Sequence, residues 1–164
     1  MLVAGLLTIA PPADAPCLLP PVSGRVTDGF RSPVCPYCAG NRGLEIDTTP
    51  GQTVVAAAAG RVSFAGSVAG TRYVAVEHGG GYRTTYGGLA SITVTTGTRV
   101  DAGGALGTSA AHTFFGLRQG DVYLDPYPHL GVVVIAPHLV PLDGSPGRPG
   151  GAGRLRCPPG RGGG

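Results

Sequence analysis

The amino-acid sequence predicts an all-β domain, and three observations favour that class. The 164-residue chain contains 30 glycines and 16 prolines, which destabilise a helix interior by about 1 and 3 kcal/mol each. Its apolar and β-branched runs are short and are repeatedly interrupted by glycine. The segment His78-Gly79-Gly80-Gly81 lies between two alternating runs and predicts a hairpin, because glycine readily adopts the positive φ of tight turns.

The predicted strands follow one another along the chain with turn residues between them. The alanines at 56–59 have helical propensity, but the valines and glycine that flank them favour an extended backbone. Apolar residues make up 42% of the chain, which is enough for one hydrophobic core. The strands are predicted at residues 24–26, 43–47, 53–58, 60–65, 72–77, 82–86, 92–94 and 123–124.

The two ends of the chain differ in composition from its middle. Residues 1–15 are apolar and end in Ala13-Asp14-Ala15, which fits a signal-peptidase site, so we expect a secreted or cell-envelope protein. That run is too short for a stable membrane span, which takes about 20 residues. Residues 144–164 are rich in glycine, proline and arginine and predict a mobile tail. A linker at 16–23 and one β domain at 24–143 complete the predicted organisation.

The charge distribution argues against a nucleic-acid partner. The formal net charge is +3, but four of the twelve basic residues fall in the predicted tail, so the body of the chain is close to neutral.

Four segments resemble the lysostaphin-like (LytM-type) zinc endopeptidases, which cut peptidoglycan cross-links. They are NRGLE at 41–45, PGQTVVAAAAGRVSFAG at 50–66, YVAVEHGGGYRTTYGGL at 73–89 and HTFFGLRQGDVYLDP at 112–126. The resemblance implies a compact antiparallel β sandwich of the lipoyl-like, duplicated-hybrid type. The chain resembles an actinobacterial branch of secreted LytM-like proteins, which carries a CPYCAGNRG turn, more than it resembles the active enzymes.

The same resemblance implies that most of the zinc site has been lost. The family holds zinc with a His-x-x-x-Asp motif and the second His of His-x-His, and these positions fall on Asn41, Glu45 and Phe114. Two assisting histidines fall on His112 and Gly88, so His112 alone is retained and would be a vestigial catalytic residue. A catalytic zinc needs three protein ligands. We therefore expect no cofactor, and a substrate groove formed by Asn41, Glu45, Tyr86, Gly88 and Phe114.

Four cysteines in an exported protein favour structural disulfides, for which three pairings are possible. Cys35 with Cys38 is the local option, and Cys17 with Cys157 would tie the N-terminal region to the tail. The C-P-Y-C motif is similar to that of glutaredoxins, but no helix opens after it, which disfavours a redox enzyme. A replacement zinc site that combines Cys35 and Cys38 with Glu45 or His112 is the alternative.

These observations predict a non-catalytic LytM-like domain at the cell wall, which binds peptidoglycan or regulates a separate cell-wall hydrolase. The alternative function is a zinc metalloendopeptidase of peptidoglycan with an altered ligand set. A structural envelope domain without a ligand is the third possibility. The histidine at 78 is expected to be an exposed turn residue.

Overall fold

The computed structural model describes residues 16–35, 38–134 and 154–157, and most of them lie in strands. The predicted signal segment and most of the predicted tail lie outside the described residues. Two single 3₁₀ turns, Gly79–Gly81 and Tyr127–His129, interrupt the strands. The strands are β1 (Arg25–Asp28), β2 (Gly43–Asp47), β3 (Thr53–Val55), β4 (Gly60–Val68), β5 (Thr71–Glu77), β6 (Tyr82–Ile92), β7 (Arg99–Val100), β8 (Ala105–Gln119), β9 (Val122–Leu124), β10 (Val132–Val134) and β11 (Arg154–Arg156).

Nine of these strands form one antiparallel sheet, which confirms the predicted all-β class. The order is β1-β2-β8-β6-β5-β4-β7, and β3 and β9 pair with different parts of β8. The 15-residue β8 is the longest strand and is bonded to four others. Strands β2, β8, β6 and β5 each have a partner strand on both sides, whereas β4 pairs with β5 along its length and with β7 only at Gly60 and Arg61.

The inner face of the sheet carries the hydrophobic core. Side chains alternate along each strand, so every second residue points inward. The rings of Tyr86 and Phe115 pack in the core with centroids 5.5 Å apart and a tilt of 43°. Other fully buried core side chains are Leu18, Leu44, Val54, Val62, Val74, Val76, Leu106 and Leu117.

Several segments differ from the predicted strands. The longest strand, β8, and the short strands β7, β10 and β11 are absent from the predicted set. The predicted strand at 53–58 stops at Val55, because Ala56 and Ala57 hydrogen-bond to loop backbone and to a side chain rather than to a neighbouring strand. The segment 92–94 is not a separate strand, since its first residue is the end of β6.

Two disulfides close the chain on itself, and both are pairings that the sequence suggested. Cys35 and Cys38 are bonded within one loop, with Cα atoms 5.0 Å apart. Cys17 and Cys157 are bonded across 140 positions, with Cα atoms 5.7 Å apart. Beside that bond, β11 pairs with β10. The prediction of a mobile tail is therefore wrong for Arg154–Arg156, because the bridge and the ladder hold this strand.

Candidate functional site

One row of residues crosses five strands on the outer face of the sheet. The register pairs Tyr73 of β5 with Gly87 of β6, and Gly87 with Phe114 of β8. Phe114 pairs in turn with Glu45 of β2, and Glu45 with Asp28 of β1. Side chains of paired residues lie on the same face of a sheet, so two aromatic rings and two carboxylates share one stripe.

A groove of about 440 Å³ lies on this stripe. It gathers five of the residues that the sequence placed in the site, and it adds an aromatic residue, Tyr73, that the sequence reasoning missed. In the sheet, Tyr73 lies opposite a glycine and on the same outward face as Phe114. Residues that line the groove include Asn41, Glu45, Tyr73, Gly88, His112 and Phe114.

The prediction that Tyr86 lines the groove is wrong, because its side chain is 0% exposed and lies in the core. The register shifts between Gly87 and Leu89, so Tyr86 and Leu89 both point inward although they are three positions apart. The Tyr86 hydroxyl accepts a hydrogen bond of 2.7 Å from the amide of Ala57 and one of 2.9 Å from Thr84. Burial raises the pKa of Tyr86 to about 12.

Gly88 forms this bulge at a position that excludes a side chain. Its φ is +70°, a left-handed conformation that L residues adopt at a cost. A Cβ atom built on Gly88 would also overlap the carbonyl oxygen of His112 on the neighbouring strand. The assisting histidine that the family carries here therefore has no room in this backbone.

Asn41 lines the groove, but its side-chain oxygen is engaged by the local backbone. Its side-chain oxygen accepts a hydrogen bond of 3.2 Å from the amide of Gly43, and its backbone forms a two-way bridge with Arg31. The residue is only 8% exposed. Its Nδ2 atom is buried and has no hydrogen-bond partner among the described residues. The pKa of the neighbouring Asp28 carboxyl is lowered chiefly by the Arg31 guanidinium and to a smaller extent by Asn41.

Glu45 and His112 are the two ionisable residues at the former site. Partial burial raises the pKa of Glu45, the charge of Asp28 raises it further, and the charge of His112 opposes both. The His112 ring is exposed, and its Nδ1 atom lies 3.5 Å from Oδ1 of Asp47. Glu45 thus sits in a half-buried, acidic setting and His112 at its open edge.

These residues do not fit a zinc ion held in the family's manner. The Asn41 oxygen is bonded to a backbone amide, and Phe114 has no lone pair to donate. Cys35 and Cys38 are bonded to each other, so neither is a thiolate ligand. Across residues 16–35, 38–134 and 154–157, no three histidine, cysteine, aspartate or glutamate side chains are grouped closely enough to hold a metal.

The expectation that His78 is an exposed turn residue is wrong. Its Nδ1–H donates to the carbonyl of Ala59 at 2.8 Å, and its Nε2 atom shares a hydrogen bond of 2.8 Å with the hydroxyl of Thr84. Burial lowers the pKa of His78, and the bond to Ala59 partly offsets that effect. His78 therefore anchors the hairpin and is not among the residues that line the groove.

The protein is an antiparallel β domain whose groove lies at the positions of a lost metal site. These two features define its class. The model of Peptidase family M23 matches residues 39–134. The chain belongs to this family, which confirms the resemblance to lysostaphin-like enzymes.

A relative supports the same assignment, and solved structures share the fold. The chain is 30% identical over 118 residues to Outer membrane antigenic lipoprotein B of Haemophilus influenzae, covering 67% of this chain and 28% of the relative. It thus spans less than a third of that protein's length. The fold is similar to Helicobacter pylori Csd3 (TM-score 0.63, 23% identity, 70% of this chain and 35% of that one). It is also similar to lysostaphin (TM-score 0.56, 22% identity, 64% and 49%).

No helix in the described part of the chain is both long enough and apolar enough to cross a bilayer.

Proposed function

We propose that this chain is a non-catalytic M23 domain of the cell envelope that binds peptidoglycan or regulates a hydrolase acting on it. The observation that carries the proposal is the state of the former metal positions. Asn41 is bonded to its own backbone, Phe114 places an apolar ring where the third ligand belongs, and Gly88 excludes the assisting histidine. The groove itself is kept, which suits binding rather than hydrolysis.

Two further features support an envelope location. Two disulfides persist in oxidising compartments and are rare in reducing ones. The relative from Haemophilus influenzae is named as an outer membrane lipoprotein. Both features fit a domain that meets peptidoglycan outside the cytoplasm.

The alternative function, a zinc endopeptidase with Glu45, His112, Cys35 and Cys38 as ligands, requires free thiolates. The Cys35–Cys38 disulfide removes two of those four ligands. Two remaining side chains fall short of the three that a catalytic zinc site uses.

The test combines three measurements on the oxidised full chain. We expect no cleared zone in zymograms of purified cell walls, no stoichiometric zinc after dialysis against trace metal, and co-sedimentation with peptidoglycan or with an envelope hydrolase. Stoichiometric zinc together with wall cleavage would overturn the non-catalytic proposal. Absence of co-sedimentation with either partner would overturn the binding part and leave a structural domain.

A further inference from the structure

Three aromatic rings on the outer face of the sheet each lie against glycine. We name Phe64, Tyr73 and Phe114 the ring platform. Two of them, Tyr73 and Phe114, line the groove described above. Phe64 extends the platform onto β4 and is 39% exposed although it is large and apolar.

The contacts with glycine show that ring atoms lie over the backbone of the sheet. A Cβ atom added to Gly87 would meet two ring atoms of Tyr73. One added to Gly43 would lie 2.7 Å from both Cε2 and Cζ of Phe114, and one added to Gly116 would lie 2.9 and 3.0 Å from two atoms of the same ring. The rings therefore occupy the space above glycines, where no side chain separates them from the backbone.

Phe64 repeats this arrangement beside Tyr73. Three of its ring atoms lie 3.3 to 3.8 Å from a Cβ placed on Gly66, and Gly66 is the β4 partner of Tyr73. The platform therefore runs across β4, β5, β6 and β8. The backbones at Tyr73 and Phe114 are about 10 Å apart, because the single strand that holds Gly87 separates them, and the Tyr73 ring reaches over Gly87 toward Phe114.

The strands under the platform restrict the chemistry of a ligand. Strands β5, β6 and β8 are paired on both sides at Tyr73, Gly87 and Phe114, so an extended peptide lying over Tyr73 and Phe114 finds no free backbone edge with which to pair. Recognition here depends on ring faces and on the side chains around them. Next to Phe114, the Glu45 carboxylate offers hydrogen-bond acceptors. At the next position on the same face of the sheet, Asp47 pairs with His112.

We infer that the ring platform binds the glycan strand of peptidoglycan rather than its stem peptides, an inference that rests on the proposed function. The C–H faces of β-linked pyranose rings pack on aromatic rings, and sugar hydroxyls at the edge donate to carboxylates. Sugars of one strand stack on Tyr73 and Phe114, with Glu45 accepting a hydrogen bond from a sugar hydroxyl. The aromatic faces supply contact area at low entropic cost.

The test uses two soluble probes and calorimetric titration. The first probe is an N-acetylglucosamine–N-acetylmuramic acid strand stripped of peptides, and the second is the free stem peptide. Tyr73→Ala is expected to weaken glycan binding by about 10-fold, which is about 1.4 kcal/mol. Tyr73→Phe keeps the ring and is expected to bind as the unmodified chain does. Tyr127→Ala removes a 64% exposed tyrosine outside the platform and serves as the matched control.

Each outcome separates this inference from the proposed function. Glycan binding that is lost in Tyr73→Ala and Phe64→Ala, and kept in both controls, supports the platform, provided that thermal unfolding shows every variant folded. Binding of stem peptides but not of glycan overturns the inference and leaves the peptidoglycan proposal intact. Equal glycan affinity in all variants also overturns it. Failure of intact peptidoglycan to bind overturns the inference together with the peptidoglycan-binding part of the proposed function, and leaves only the role as a regulator of a hydrolase.

Discussion

Substitution of Gly88 by alanine is expected to destabilise the domain by about 2 to 5 kcal/mol. Two costs add at this position. The φ of +70° costs an L residue about 1 to 2 kcal/mol, and displacing the His112 carbonyl within a packed sheet costs about 1 to 3 kcal/mol. A bulge that only glycine fits would thus explain why a histidine is missing from this position.

Two other glycines separate these costs. Gly70 has φ of +82° with open space around it, so Gly70→Ala is expected to cost about 1 to 2 kcal/mol. Gly79 has neither a positive φ nor a neighbour within 4 Å, so Gly79→Ala should change stability by no more than about 0.5 kcal/mol. At Gly70 only the backbone conformation opposes a side chain. The difference in unfolding free energy between Gly88→Ala and Gly70→Ala therefore measures the steric cost of the contact with the His112 carbonyl.

The assay is urea unfolding of the oxidised chain, followed by circular dichroism and analysed with a common slope. The reasoning predicts the order Gly88→Ala, Gly70→Ala, Gly79→Ala from most to least destabilised. If Gly88→Ala were no less stable than Gly70→Ala, the His112 carbonyl would not be the barrier, and the loss of the histidine would need another explanation.

Three further substitutions test the core, the hairpin and the lost metal site. Tyr86→Phe leaves the buried amide of Ala57 without an acceptor and should lower the free energy of unfolding by about 1 to 3 kcal/mol in the same urea assay; a loss under 0.5 kcal/mol would contradict this. The pKa of His78 is lowered below its ordinary 6.5 in the folded state, so the unfolded chain binds the proton more readily and stability falls as pH drops below about 6.5. His78→Gln should therefore show a shallower loss between pH 6.5 and 5 in unfolding titrations, and an unchanged slope would refute it. Asn41→His combined with Phe114→His should make thermal stability rise with added zinc, by about 2.7 kcal/mol at a hundred times the dissociation constant, without wall cleavage; cleavage by this variant would show that the histidine absent at position 88 is dispensable.

The positions of strands such as β2 and β5 along the chain, and the position of the main hairpin, were predictable because they depend on local signals. Strand β2 has its predicted bounds, and β5 begins one residue earlier than predicted. Apolar alternation identified such strands, and the glycine run after His78 identified the turn. These signals require no knowledge of which strands pair.

The extent of β8 and the orientation of Tyr86 depend on pairing, which the sequence does not display. Ala105–Gln119 mixes small, polar and aromatic residues, because its outward positions face the groove and its inward ones the core. The bulge at Gly88 shifts the alternation of β6 by one residue. The sequence reasoning places Tyr86 in the groove, whereas the aromatic residues that line it are Tyr73 and Phe114.

The bond between Cys17 and Cys157 makes the backbone between them a closed ring. A protease that cuts this ring once, for instance at the loop where Val34 is 94% exposed, opens it without releasing a fragment. The nicked molecule keeps its mass on a non-reducing gel and separates into two pieces only after reduction. In a compartment where proteases are abundant, a domain built in this way tolerates a cut in a surface loop while its sheet stays assembled.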